Sequence, residues 1–156
     1  MAGGQRSPNM FVTNLRVAAV LAHKGGEVKT IDPEATVLDA IGAMARYNVG
    51  ALVVIDGARV VGLRSEREYL RGAELAGRSS RDTRVRDIML TELPGVSPET
   101  TIATGMALMT EYRVRHLPVM TGEELVGLVS IGDLVAAVIR DQAQVIEQLE
   151  LYIASG

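Results

Sequence analysis

The segment GLVSIGDL, residues 127–134, places a hydroxyl and a carboxylate three residues apart, Ser130 and Asp133, where a β-branched run gives way to a helical pattern. Two chemistries suit that spacing. In one, the pair is a capping box in which each side chain satisfies a backbone amide that the first helical turn leaves without a partner. In the other, the helix start offers free N–H groups and its positive dipole end to an anion, while the carboxylate accepts hydrogen bonds from a sugar diol such as the 2′- and 3′-hydroxyls of a ribose. The spacing alone leaves both open.

A second polar cluster lies just upstream. In RVRHLPV, residues 113–119, Arg113, Arg115 and His116 precede an otherwise apolar strand. Such charges serve solubility at a strand start, or they face a phosphate. An earlier stretch, VGLRSERE, repeats the Ser130 pattern with Gly62 and Ser65 but has Glu68 where Asp133 stands. Glutamate keeps the charge, moves the carboxylate out by one methylene and is the better capping-box residue. Arg67 beside it is either a solvated helix charge or a planar, two-pronged phosphate ligand.

Other chemistries find little support. No G-x-G-x-x-G follows a strand, and HKGGEVKT lacks the P-loop spacing. With no cysteine and only His23 and His116, the chain has no thiol nucleophile, disulfide framework or ordinary zinc set. His23 suits a helix C-terminus, and Met44, Met106 and Met109 suit aliphatic core. No nucleophile adjoins a base and an orienting acid, so catalysis is not expected. A formal charge of −3 gives no basic footprint for nucleic acid. No apolar run reaches the roughly 20 residues of a membrane span, and residues 1–13 lack the basic start and apolar stretch of a signal peptide, so a cytoplasmic location is expected.

The elements that must position these residues come from an internal duplication. Pro33, Glu34, Thr36, Met44, Tyr47, Leu52, Gly57 and Ser65 recur without a gap as Pro98, Glu99, Thr101, Met109, Tyr112, Leu117, Gly122 and Ser130, and about a third of positions 27–70 are identical in the second copy. Each copy reads as an extended stretch, a helix, a hairpin and a second helix. Thr36 with Asp39 forms a capping-box pattern, Val37, Ile41, Met44 and Ala45 follow at helical spacing, and ALVVI and RVVGL flank a Gly-containing turn. The strands are apolar on both faces, as befits a sheet covered on both sides. Short helical pieces, NLRVAAVLAHK and RVRDIM, precede the copies, consistent with elements that straddle the pair. With 47% apolar but 3% aromatic residues, the core is aliphatic.

The order of elements, the gap-free doubling and the phrases VRHLPV, ELVGLVSIGDL and NVGALVVIDGARVVGLRSE resemble a pair of CBS domains, the cystathionine β-synthase-type regulatory module, in the form of the small stand-alone two-CBS proteins of bacteria. The resemblance implies an α+β fold, a tandem CBS pair of two β-α-β-β-α repeats packed sheet to sheet about a pseudo-twofold axis. The boundaries expected are a mobile tail over residues 1–13, CBS units over 14–76 and 77–142, and a helical extension over 143–156.

It also implies clefts for adenosine-containing nucleotides, AMP foremost and ATP, ADP or NAD(H) as variants, held as regulatory ligands and not as catalytic cofactors. The family's ribose pattern matches Gly127, Ser130 and Asp133 in full and is broken at Glu68 in the first copy. By the same resemblance Arg113, Arg115 and His116, and Asn48 in the first copy, lie near ligand phosphate or sugar. Adenine contacts would come from Thr30, Ile31, Val49, Gly50, Ala51 and Leu52, and from Gly95, Val96, Val114, Leu117 and Pro118. The function implied is a non-catalytic nucleotide sensor that signals to a regulated protein through a packing change. The alternative is an oligomeric scaffold with degenerate clefts. In either case Val145, Leu149 and Tyr152, on one stripe of the last helix, point to a homodimer.

Overall fold

The computed structural model describes residues 14–65 and 79–155. The expected tail, the second helix of the first copy, Arg67 and Glu68 therefore lie outside the described residues, as does the side chain of Ser65. In chain order the elements are α1 (Val17–Lys24), β1 (Thr30–Ile31), α2 (Val37–Tyr47), β2 (Ala51–Asp56), β3 (Arg59–Ser65), α3 (Val85–Ile88), α4 (Ile102–Tyr112), β4 (His116–Thr121), β5 (Glu124–Ser130) and α5 (Ile131–Ser155).

The two copies fold by the same local chemistry. Helix α2 opens on the expected capping box: the Asp39 amide donates to Thr36 Oγ1 and the Thr36 amide to Asp39 Oδ2, both at 3.1 Å. Its counterpart α4 has Thr104 in place of Asp39, and only the forward half remains, from the Thr104 amide to Thr101 Oγ1 at 3.1 Å. Both helices end on a left-handed residue, Asn48 at φ 54° and Arg113 at φ 58°. Asparagine tolerates that conformation, whereas an arginine there holds it at a cost of roughly 1 kcal/mol. The hairpins turn at Gly57 and Gly122, whose φ of 66° and 62° is the glycine-favoured region.

One element differs between the copies. In the first, β1 runs parallel to β2 and adjoins it through the Val53 amide, which donates to the Lys29 carbonyl at 3.2 Å, giving a sheet ordered β1-β2-β3. In the second, among the described residues, β4 and β5 pair alone, and Gly95–Val96 forms no strand. The residue that corresponds to Val53 is Pro118, which has no N–H to donate.

Two compact units emerge, and each draws on both copies. The described residues of the first unit are those up to Gly25, Val96–Leu117 and those from Val129 onward; the second holds Gly26–Gly95 and Pro118–Leu128. In the first unit the segment before copy one docks on the helix start of copy two: the Ile102 amide donates to Leu15 O, Val17 to Thr100 O and Ala18 to Pro98 O, at 2.8–2.9 Å, and Arg16 Nη1 reaches Glu99 O. In the second unit the segment before copy two does the same for copy one: Val37 to Thr83 O, Val85 to Ala35 O and Arg86 to Pro33 O, at 2.8–3.0 Å, with Arg84 Nη1 on Glu34 O at 2.8 Å. Each exchange supplies an acceptor for an amide that the first helical turn cannot satisfy.

The second unit shows why its strands are apolar on both faces. Leu52 and Val54 pack with Ala40, Ala43, Met44 and Val85 on one side. Ala51, Val53 and Leu63 pack with Val28, Leu93, Leu125 and Leu128 on the other. Gly62 lets the chain after α3 run close against β3, because Leu63 and Leu90 exchange backbone bonds at 3.0 Å in an antiparallel bridge while a Cβ on Gly62 would stand 2.8 Å from Leu90 O and 2.7 Å from Met89 Sδ. Beside this bridge the buried Arg64 donates from Nη1 to Ile88 O at 3.2 Å. In the first unit α5 packs on α1 and α4, with Val17, Val20, Ile102, Met109 and Leu134 buried.

Gly62→Ala should lower stability by about 1–3 kcal/mol, because the backbone of residue 90 cannot yield without breaking the Leu63–Leu90 bridge. Urea denaturation should show a lower midpoint at unchanged slope.

Candidate functional site

Residues Ser130 and Asp133 meet at the start of α5 as a complete capping box. The Ser130 amide donates to Asp133 Oδ2 at 2.8 Å and the Asp133 amide to Ser130 Oγ at 3.0 Å. The same carboxylate oxygen accepts a third group, Lys24 Nζ at 2.7 Å. Asp133 Oδ1 takes none of these three bonds and remains as an acceptor on a carboxylate whose side chain is 27% exposed.

Electrostatically the site favours the ionised carboxylate. Burial is the largest single influence on Asp133 and pushes its pKa up, but the Lys24 ammonium together with the Ser130 amide and hydroxyl outweigh it and hold the group below the ordinary carboxylate value. A negative charge in the first turn is also favoured by the helix dipole.

Around this pair the first unit assembles the second polar cluster. The Arg115 carbonyl accepts from the Ile131 amide at 2.9 Å, so the strand start and the helix start are tied by backbone. Arg113 and Arg115 are exposed, and His116 is half-buried and engaged in an interaction of its own. Val96, Val114 and Leu117 are buried in this unit, Leu117 completely, so their side chains belong to the core and only their backbone groups are left to meet a ligand.

The second unit holds the remaining expected residues. Thr30 and Ile31 lie on β1 beside Val53 and Val54, Asn48 closes α2, and Val49 donates its amide to Met44 O at 3.1 Å. Gly50 is exposed, whereas Ala51 and Leu52 are core. Gly95 and the buried Pro118 line a cavity of about 250 Å³ with Gly62, Leu93, Pro94 and Met120. Its walls are mostly apolar, and its volume lies below the roughly 300–1,000 Å³ of whole-ligand pockets. A larger concavity of about 650 Å³ in the same unit, at the hairpin turns with Arg59, Gly122 and Glu123, includes none of the expected site residues.

Sequence reasoning missed Lys24. Its partner is 109 residues away, and no local pattern announces such a pair. It also gave no weight to Gly62, Leu93 and Met120 as cavity walls. Among the described residues no group of three or more His, Cys, Asp and Glu side chains is placed to hold a metal ion, and no helix is long and apolar enough to cross a membrane.

Comparison with known proteins gives a consistent result. A family model described as CBS domain matches the chain twice, over residues 20–71 and 85–140. The mitochondrial CBS domain-containing protein CBSX3 of Arabidopsis thaliana is 44% identical over 126 residues, covering 78% of this chain and 61% of its own length. The CBS domain-containing protein YhcV of Bacillus subtilis is 32% identical over 108 residues, covering 69% of this chain and 76% of that protein. Among solved structures, a protein with CBS domains from Burkholderia ambifaria aligns with a TM-score of 0.76 at 45% identity, over 81% of this chain and 96% of that one.

The depressed pKa of Asp133 links stability to pH. Its folded value lies below its unfolded value, so its contribution is fully present above the unfolded pKa of about 4 and is lost as pH falls through the folded value. The stability difference between wild type and Asp133→Asn should therefore be constant between pH 7 and 5 and shrink below pH 4. Denaturation series at those pH values measure it.

Proposed function

Because the chain belongs to the CBS domain family and matches its domain twice, over residues 20–71 and 85–140, we propose that it is a non-catalytic regulatory module that binds an adenosine-containing nucleotide, AMP foremost. The observation that carries this reading is the Asp133 carboxylate. It caps α5 with one oxygen and keeps the other available beside exposed arginines of the same unit, in the ribose pattern of Gly127, Ser130 and Asp133. A ribose hydroxyl on Oδ1, and a phosphate near Arg113 and Arg115 with His116 beside them, use the acceptor and the guanidinium groups that are there. Binding would then be read out as a change in packing, conveyed to a regulated protein.

The two copies would bind unequally. Only the second has the short carboxylate, whereas the first has Glu68, so the site served by Asp133 is the tighter. Losing hydrogen bonds to a charged acceptor costs roughly 1.5–3 kcal/mol, or about ten- to more than a hundredfold in affinity. In calorimetric titration Asp133→Ala should weaken AMP binding by that factor, and adenosine should bind wild type more weakly than AMP, the gap narrowing with added salt as the phosphate term is screened. AMP binding to Asp133→Ala at wild-type affinity would remove the ribose assignment.

A second reading, an oligomeric scaffold, draws on the end of α5. Ile146, Leu149, Tyr152 and Ile153 are 56–77% exposed, a run of large apolar side chains seldom left in water. The two readings share one expectation, a homodimer built on this helix. Light scattering at micromolar concentration should give a dimer for the full chain and a weakened one after removal of residues 143–156. A full-length monomer would count against it.

A further inference from the structure

Lys24 and the Ser130 amide together fill one oxygen of the carboxylate assigned above to the ribose. A carboxylate offers about four lone-pair sites, two on each oxygen. On Asp133 Oδ2 both are taken, by the Ser130 amide at 2.8 Å and Lys24 Nζ at 2.7 Å. A ribose diol that engages both carboxylate oxygens needs one of these donors to leave. The amide is fixed by the backbone at the head of a 25-residue helix. Lys24 ends a flexible side chain that is 35% exposed, and it is the donor that can move.

We propose that Lys24 is a specificity-determining residue of the nucleotide site: its ammonium competes with the ribose for Asp133, so that a ligand must displace it to bind through both hydroxyls. This rests on the reading of Asp133 as the ribose acceptor. Lys24 has somewhere to go when displaced. It is the last residue of α1, ahead of Gly25, whose amide closes the helix on Leu21 O at 2.7 Å. An ammonium at that end is favoured by the helix dipole and by the last carbonyls. The competition handicaps a neutral nucleoside most. A nucleotide retains the attraction of the released ammonium for its phosphate, and a nucleoside has no charge to offer in return. The ion pair thereby biases the site toward anionic ligands before any arginine is counted.

The test is calorimetric titration of the full chain with adenosine and with AMP, in wild type, Lys24→Met, Lys24→Arg and Asp133→Ala. A partly exposed pair of this kind is worth about 0.2–1 kcal/mol, so Lys24→Met should bind adenosine up to about fivefold more tightly, with a smaller gain or a loss for AMP. Lys24→Arg keeps the charge and should stay near wild type. Added salt should tighten adenosine binding to wild type, by screening the competitor, and leave Lys24→Met unaffected. If Asp133→Ala loses binding while Lys24→Met binds adenosine no better than wild type, the competition is overturned and the ribose assignment stands. If wild type and Asp133→Ala bind adenosine and AMP alike, or neither binds, the ribose assignment falls and the role of Lys24 falls with it.

Discussion

The structure depends on the crossed docking of two short segments. Residues 15–18 close over the start of α4, and residues 83–86 close over the start of α2, each with three backbone bonds and an arginine on a glutamate carbonyl. A helix start buried without acceptors is costly, and here acceptors come from the neighbouring copy's leader as well as from the helix's own cap. Thr36 and Thr101 satisfy one amide each; Thr83 and Leu15 supply the next carbonyl. Helix α1 is thereby brought into the unit that contains α5, and only because of that does Lys24 reach Asp133.

Much of this was legible in the sequence, because the signals were local. The doubling, the hairpins at Gly57 and Gly122, the capping box of Thr36 with Asp39 and the overlong last helix all follow from spacing within one element. Short helices before each copy were legible as well, though not which copy each would cover, since that is decided by contacts such as Arg16 on Glu99 and Arg84 on Glu34, 83 and 50 residues apart. The missing strand of the second copy was also written in the chain. Pro118 stands where Val53 donates, and a proline inside a repeat that otherwise aligns residue for residue removes one ladder bond without removing the hairpin.

For the site, residue types carried less information than the oxygens. Ser130 with Asp133 reads equally as a cap and as a ribose ligand, and the structure has the cap in full. The two roles are compatible because the cap uses Oδ2 and the diol needs Oδ1 as well. Only atomic detail separates them, and only atomic detail finds the lysine on the shared oxygen. The core positions among the expected ligand contacts show the converse limit: Leu52 and Leu117 are fully buried, so a sequence pattern that includes them describes where backbone passes and not which side chains touch a ligand.

Neither compact unit is a continuous stretch of chain. One needs residues near the beginning, the middle and the end, and the other needs the hairpin of Pro118–Leu128 as well as the first copy. During synthesis, therefore, no unit is complete when the first copy has left the ribosome; α1 waits for Ser97–Ile102, and β3 waits for Leu125 and Leu128 to cover its second face. The entropy of closing such long loops grows slowly, by about 0.6 kcal/mol for each doubling in length, but it is spent before any distant contact forms, which slows folding. A cut between the copies would leave two fragments that each lack part of both cores.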